Sequence, residues 1–206
     1  MSHKPTPPRS SRQPRAALPP PPPSIGNAEV IAHLGSAARA VKVSSAARDV
    51  PDGPGLYSIF VDSPASLPEP YRGLLVAAKT RLLYVGSAKR SLYARLVEQE
   101  LRHKRAATFF RGLGAILGYR PVAGSLAGKR NQRNYRFSPA DTAAVIAWIE
   151  QHLRVELAQF DEPDIRRLEP LVIAALCPLL NTTHNPRCFA DLVALREECR
   201  RIARTP

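Results

Sequence analysis

Acidic side chains are scarce in this chain relative to basic ones. The 206 residues contain 17 Asp and Glu against 30 Lys and Arg, which gives a formal net charge of +13. Such an excess predicts attraction to polyanions, because Lys and Arg that displace condensed counterions supply much of the affinity of proteins for nucleic acid. A merely solvated basic surface is the plain alternative.

Disulfides, zinc-site spacings and long apolar runs are also missing. Three cysteines are too few for a disulfide framework. Cys177, His184 and Cys188 lack the short paired spacings of a zinc site. No apolar run reaches the roughly 20 residues of a membrane-spanning helix, and the stretch MSHKPTPPRSSRQPRAALPPPPPS has no apolar core of a secretory signal. We therefore expect a soluble cytoplasmic protein, associated with the nucleoid.

The composition changes sharply near residue 26. Residues 1–26 are rich in proline and basic residues, which predicts a disordered tail. This tail could be an electrostatic arm for nucleic acid, a ligand for a proline-recognising module, or a plain extension. Residues 27–206 are long enough for a single folded domain, with its motifs within 54–186 and a closing helix over 186–204.

Hydrophobic periodicity and turn residues predict alternating strands and helices. Predicted strands are 55–61, GLLVAAKTRLLYVG as a strand or hairpin ending near Gly86, NYRF and RVELAQF. Predicted helices are AEVIAHLGSAARAV, which Gly35 could interrupt, a Ser91-capped helix from Leu92 to about Arg105, Thr108–Leu117 stopped by Gly118, one opened by Ser138, Pro139 and Asp141, DIRRLEPLVIAALCPLLN halted at Pro178, and PRCFADLVALREECRRIAR. The interleaving indicates a small sheet covered by helices.

Two tyrosines in the predicted strands are candidates for a shared groove. Side chains alternate along a strand, so Tyr57 lies on the side of Ile59, and Tyr84 on the side of Leu82 and Gly86. If the strands pair, both phenols could face one groove. The turn after Gly86 would bring Lys89, with Ser87, close to the unpaired N–H groups of the next helix, a place that favours an anion.

Polar side chains continue this pattern on the helices. Arg95 and Gln99 are four residues apart and are expected to be neighbours, with Arg102 and His103 further along the same face. This face would suit a phosphodiester. Glu169 points along an apolar stripe, which favours a partner such as an Arg or a divalent cation.

Taken in order, these residues resemble the motifs of the GIY-YIG nuclease superfamily. The motifs are Gly55-Leu56-Tyr57, Tyr84-Val85-Gly86, Arg95 eleven residues beyond Tyr84, Glu169, and Asn181. The resemblance is to stand-alone bacterial members. It implies an α+β fold with a small three-stranded, mostly antiparallel sheet flanked by helices, here with extra helices.

The resemblance also implies a function, namely metal-dependent hydrolysis of DNA with Mg²⁺ or Mn²⁺. Tyr57 would be the general base, with a pKa lowered by nearby positive charge, and Tyr84 would orient water or phosphate. Arg95 would bind the phosphate and Glu169 the metal. His103 is a candidate substitute for a histidine that many members carry where this chain has Gln99. The supporting residues would be Gly55, Gly86, Lys89, Gln99 and Asn181, and the nucleic-acid-binding residues Arg102, Lys104, Arg105, Lys129, Arg130 and Arg133.

Two other functions stay open. Because glutamine cannot titrate near neutral pH, Gln99 motivates a catalytically weak or inactive nucleic-acid-binding module with the same fold. The third possibility is a basic structural or RNA-associated protein in which the motifs are accidental. DNA is the expected partner, with RNA as the alternative; the target cannot be read from the sequence.

Overall fold

The computed structural model describes residues 26–46, 48–105 and 107–205. The predicted tail lies outside these residues except for Gly26 and stays a prediction. In chain order the elements are α1 (Asn27–Gly35), β1 (Val41–Lys42), α2 (Val43–Ala46), β2 (Gly55–Val61), a 3₁₀ turn (Pro64–Ser66), α3 (Tyr71–Ala77), β3 (Leu82–Ala88), a π-helix (Tyr93–Leu101), α4 (Thr108–Ile116), α5 (Pro139–His152), β4 (Leu153–Gln159), α6 (Glu162–Leu176) and α7 (Ala190–Arg204).

The sheet is antiparallel, with strand order β1-β4-β2-β3. The predicted α+β class is confirmed, and the three long strands were expected. The two-residue strand β1 adds a fourth, pairing Val41 with Val155. Strand β2 lies between β3 and β4, and all seven of its residues are buried. Helices therefore cover both faces of the sheet at this strand.

Two hydrophobic cores lie on the two faces of β2. On one face Tyr57, Ile59 and Val61 belong to a core shared with α4, α5 and α7. On the other face Leu56 and Phe60 pack with the apolar residues of α1 and α6. This is the alternation expected of a strand buried on both sides.

One predicted strand is wrong in its first half, and another does not join the sheet. The first half of GLLVAAKTRLLYVG forms α3, which buries Tyr71 and Leu75, four residues apart, and β3 begins only at Leu82. A short apolar run does not by its periodicity alone distinguish a strand from a helix. In NYRF, Tyr135 and Phe137 are buried in alternation as in a strand. This segment pairs with no strand of the sheet, since β1 and β3 form its two edges.

Three predicted helix boundaries agree with the structure, whereas the closing helix begins at Ala190 and not at residue 186. Ser138 Oγ accepts a hydrogen bond from Asp141 N at the start of α5, 3.0 Å away. Helix α4 ends at Ile116, just before Gly118 with φ +96°, and α6 ends where Cys177 adopts a left-handed conformation. Within the part of the chain described, no helix combines the length and the apolar character needed to cross a bilayer.

Candidate active site

The two motif tyrosines lie on one face of the β2–β3 pair. Tyr57 is opposite Gly86, and Tyr84 is opposite Ile59. Directly paired residues of antiparallel strands point to the same side, and the ring centroids of Tyr57 and Tyr84 are 6.3 Å apart. A Cβ at Gly86 would overlap the phenol of Tyr57. Glycine at position 86 therefore leaves the space on the sheet that the Tyr57 ring occupies.

A β-bulge modifies the predicted alternation in β3. The pairing passes from Ile59–Tyr84 to Phe60–Leu82, which leaves Leu83 as the extra residue. Leu82 consequently packs in the core of the opposite face, together with Phe60, whereas Tyr84 stays on the face of Tyr57. The expectation that Leu82 and Tyr84 share a side was wrong, because strict alternation holds only for a regular strand.

Arg95 lies on the π-helix, not on the predicted α-helix of Leu92–Arg105. The Arg102 N–H donates to Val97 O, five residues earlier, as in π geometry. The wider turn brings Arg95 close to Glu100, and Arg95 Nη1 is 2.5 Å from Glu100 Oε1. Gln99 is half-buried. Arg95 thus forms an ion pair with a residue five positions along the chain, which α-helical spacing does not anticipate.

Glu100 is the site residue that sequence reasoning missed. Its side chain is fully buried, and its Oε2 accepts a hydrogen bond from Phe109 N at 3.0 Å, at the start of α4. Burial raises the pKa of Glu100, while Arg95 and the N–H groups of Phe110 and Phe109 oppose the rise. The sequence did contain an indication of this burial. Glu100 lies four residues after Leu96 and three after Val97, which places it on the apolar face of a helix.

Glu169 completes the cluster from α6. The charges of Glu100, Arg95 and Glu169 each shift the pKa of both Tyr57 and Tyr84. Side chains from β2, β3, the π-helix and α6 therefore lie close together. Glu169 is half-buried, and α6 continues through Pro170 to Leu176. The structure thus brings together the four residues Tyr57, Tyr84, Arg95 and Glu169.

The electrostatics of the tyrosines run against the predicted lowering of the Tyr57 pKa. Burial raises the pKa of Tyr57 well above its ordinary value, Glu100 adds to this, and Arg95 opposes it. Burial raises the pKa of Tyr84 too. Burial would lower the pKa of Arg95, but Tyr57, Glu100 and Tyr84 together raise it. In these surroundings both phenols are neutral at neutral pH and Arg95 is charged.

Tyr57 Oη and the Glu169 carboxylate are the groups of the cluster that are open to a further partner. Tyr57 Oη is buried and has no hydrogen-bond partner among the described residues. Glu169 forms no ion pair with any residue in the described ranges. In the described part of the chain, no three His, Cys, Asp or Glu side chains are grouped to hold a metal. A single carboxylate still fits Mg²⁺, which commonly takes one or two and fills its shell with water and phosphate.

Asn181 clamps the outer edge of β3 through its side-chain amide. Its Oδ1 accepts from Val85 N and its Nδ2 donates to Val85 O, both at 2.9 Å. Leu180 N donates to Leu83 O at 2.7 Å. The chain after α6 thereby covers the edge of the strand that carries Tyr84.

His103 lies apart from the four-residue cluster. It has φ +51° after the π-helix, and its ring stacks on Phe110 with centroids 4.1 Å apart. It lines a separate cavity with residues that include Arg105, Lys129 and Arg136, and none of the four cluster residues lines that cavity. The structure therefore gives no geometric support to His103 as a substitute catalytic histidine.

The expected anion site at the start of the helix after Gly86 is wrong. The N–H groups of Leu92 and Tyr93 donate to Gly53 O and Pro51 O, and that of Ala94 to Ser91 Oγ. These N–H groups are already hydrogen-bonded within the protein, and Lys89 is exposed on the turn.

Gly55 allows close packing of its strand. A Cβ at this position would meet the backbone of β4 and the Leu92 side chain.

The predicted nucleic-acid-binding residues are all exposed. Arg105 and Lys129 line the cavity of His103, whereas Arg133 lines a second cavity on the other side of Tyr135. Lys104 pairs with Glu98 at 2.6 Å, and Arg102 and Arg130 line neither cavity. Sequence reasoning missed Arg111, Arg136, Arg196 and Arg200, because these arginines come from three separate segments that meet only in the folded chain.

Comparison with known proteins agrees with this geometry. A family model described as the GIY-YIG catalytic domain matches residues 55–198, well over half of the chain. Neither a curated protein nor a solved structure matches the chain. The matched region contains both tyrosine motifs, Arg95, Glu169 and Asn181, and supports a function of the nuclease type. The chain belongs to the GIY-YIG catalytic domain family.

Proposed function

We propose that this protein is a metal-dependent DNA endonuclease whose active site is built from Tyr57, Tyr84, Arg95 and Glu169. The observation that carries the proposal is the convergence of these four motif residues from four elements, with the two phenol rings 6.3 Å apart. Membership of a nuclease-type family and the net charge of +13 support nucleic acid as the substrate.

Arg95 would bind the non-bridging oxygens of the scissile phosphate. Its side chain is 27% exposed, and its Nη1 lies against Glu100. A guanidinium has five N–H donors, so the others are free to contact a phosphate and to offset the charge gained in the transition state. Glu100 would act as a positioning residue, since it fixes Arg95 through one carboxylate oxygen and α4 through the other.

Tyr57 would take the proton of the attacking water, directly or through a second water. Its Oη is buried and lacks a partner among the described residues, so a water molecule entering the site would satisfy it. Burial opposes formation of the phenolate, whereas Arg95 favours it. Tyr84, 8% exposed, would orient the water or the phosphate by hydrogen bonding.

Glu169 would hold the metal, Mg²⁺ or Mn²⁺. When bound, the ion supplies Lewis-acid polarisation of a phosphoryl oxygen and positive charge that favours ionised groups nearby. A carboxylate with no ion pair in the described ranges, beside two phenols and Arg95, suits this role.

Nicking of supercoiled plasmid, with and without Mg²⁺, tests the proposal with two matched pairs of variants. Tyr57→Phe and Glu169→Gln are each expected to lower the rate by at least about 100-fold, the lower range for loss of a proton-transfer group. Tyr71→Phe removes instead the hydroxyl of a buried tyrosine that packs on Phe189, and Glu162→Gln removes an exposed carboxylate from the same helix as Glu169. Both controls should nick at the wild-type rate.

Unfolding can be separated from catalysis in the Tyr57 variant. Because Tyr57 Oη has no partner within the described ranges, its removal should leave the urea midpoint unchanged or raised. A stable Tyr57→Phe that nicks plasmid as fast as the wild type would refute the proposed role of Tyr57. The same assay on a matched RNA duplex distinguishes DNA from RNA as the substrate.

The second candidate function is a nucleic-acid-binding module without efficient cleavage. Full burial of Tyr57 and its raised pKa favour it, as does Gln99 in the position of a titratable histidine. It predicts salt-dependent DNA binding without nicking in Mg²⁺ or Mn²⁺. Gain of nicking in Gln99→His would show that glutamine at this position limits activity.

A further inference from the structure

Four arginines surround a cavity beside the cluster of Tyr84 and Arg95. Arg111, Arg133, Arg196 and Arg200 line it together with hydroxyl side chains such as Thr108 and Thr183, and the described residues that line it include no carboxylate. Its volume is about 260 Å³. A water molecule occupies about 30 Å³ of liquid, so the cavity has room for a phosphate group and several waters.

Two of these arginines carry buried N–H groups without an acceptor. Arg111 is only 8% exposed, and its Nη1 has no hydrogen-bond partner in the described part of the chain; the same is true of Arg200 Nε. Arg200 Nη2 pairs with the exposed Glu197 at 2.6 Å. Buried polar groups are nearly always hydrogen-bonded, and a buried cation without an acceptor is costly. These donors call for an anionic ligand.

Arg196 is held in place by the protein. Its guanidinium donates to Leu180 O at 2.9 Å and to Thr182 Oγ1 at 3.2 Å, and it lies so close to Gly112 that a Cβ there would overlap it. Burial lowers the pKa of both Arg111 and Arg196, which means that an anion would stabilise their charged forms. The Arg196 side chain is thus in place before any ligand arrives.

The cavity adjoins the proposed active site. Thr108 in its lining precedes Phe109, whose ring centroid is 5.5 Å from that of Tyr84 and whose N–H donates to Glu100. Arg196 donates to Leu180 O, and Leu180 N donates to Leu83 O, next to Tyr84 on β3. A strand whose scissile phosphate contacts Arg95 would therefore bring a second phosphate close to the four arginines. We propose that this cavity binds a phosphate group of the nucleic-acid strand and fixes its register on the enzyme; this role rests on the proposed function.

Binding in EDTA tests the cavity without cleavage. The probes are single DNA strands of one sequence that end in either a 5′ hydroxyl or a 5′ phosphate, followed by fluorescence anisotropy over a range of salt concentrations. The variants are Arg200→Gln and Arg133→Gln. The matched control is Arg72→Gln, an arginine on α3 that pairs with Glu69 at the same spacing of three residues as Arg200 with Glu197.

Arg200→Gln and Arg133→Gln should each bind about tenfold more weakly, the loss expected when a hydrogen bond to a charged group is removed. If the cavity holds an internal phosphodiester, both strands lose affinity and the salt slope falls by about 0.7. If it holds a terminal phosphate, only the 5′-phosphorylated strand loses affinity. Binding equal to that of Arg72→Gln on both strands would overturn the assignment. A wild type that binds these strands but never nicks plasmid would instead refute the proposed function alone.

Discussion

Arg95 Nη1 and Glu100 Oε1 lie 2.5 Å apart on a π-helix, five residues from each other along the chain. The Glu100 carboxylate also accepts the N–H of Phe109 at the start of α4. One buried carboxylate thus links Arg95, the arginine of the proposed active site, to the next helix. The electrostatic cost of burying it is offset by one cation and by the positive end of a helix.

Loss of this pair should destabilise the fold. Glu100→Gln keeps the shape of the side chain but leaves Arg95 without its counter-ion. We expect a loss of about 3 kcal/mol in the free energy of unfolding, the low end for breaking a buried pair, because Arg95 is partly exposed. Urea denaturation measures it. Glu98→Gln, on the same π-helix and paired with the exposed Lys104, should unfold like the wild type; equal losses in both would contradict a special role for Glu100.

Gly86→Ala should disturb the Tyr57 ring. The new methyl group would overlap the phenol, so the strand or the ring must shift, at a cost of about 1–3 kcal/mol for overpacking. Near-ultraviolet circular dichroism should change along with the urea midpoint. Gly26→Ala adds the same methyl group where no atom lies within 4 Å and should leave both unchanged. An unperturbed tyrosine signal in Gly86→Ala would argue against this packing.

Asn181→Ala should loosen β3. The substitution removes both hydrogen bonds to Val85 and leaves two backbone groups unsatisfied, which costs about 2 kcal/mol or more. Hydrogen exchange of the Val85 amide is the specific readout, and we expect it to become much faster. Asn131 is exposed and, among the described residues, accepts a hydrogen bond from the nearby Arg133 N alone, so Asn131→Ala is the control. Unchanged protection of Val85 in Asn181→Ala would contradict the clamp.

His103 should make stability depend on pH. Burial, with Arg111 and Arg136, lowers the pKa of His103 to about 4, against about 6.5 in an unfolded chain. Between these values the unfolded chain binds the proton more readily, so the free energy of unfolding should fall as the pH drops from about 6.5 to about 4. Above this window the contribution is complete.

His103→Asn should flatten that decline, since asparagine tolerates the left-handed conformation and does not titrate. His184 also has a positive φ, +60°, and His184→Asn controls for a change at a left-handed position. Chemical denaturation at several pH values compares the two variants. A slope in His103→Asn as steep as in the wild type would show that other groups cause it.

Features that depend on residues close together in the sequence could be predicted, whereas contacts between distant residues could not. The strand over Gly55–Val61 and the cap at Ser138 follow from alternation and local hydrogen bonding. The set Tyr57, Tyr84, Arg95 and Glu169 was chosen from motifs in order along the chain, and the fold brings its members together. The ion pair between Arg95 and Glu100 was missed because an α-helical period of 3.6 residues does not anticipate a contact between residues five apart on a π-helix.

By itself the sequence determined the basic charge, the strand and helix types of the strongly patterned segments, and the family motifs, because each depends on neighbouring residues or on composition. Only the tertiary structure decided which arginines meet. Arg111 from α4, Arg133 from a loop and Arg196 and Arg200 from α7 line one cavity. Likewise, His103 follows Arg95 and Gln99 in the sequence, but the chain changes direction after the π-helix. His103 therefore lines a cavity that is separate from the cluster of Tyr57, Tyr84, Arg95 and Glu169. Distances between residues far apart in the chain are set by packing of whole elements, which no local pattern records.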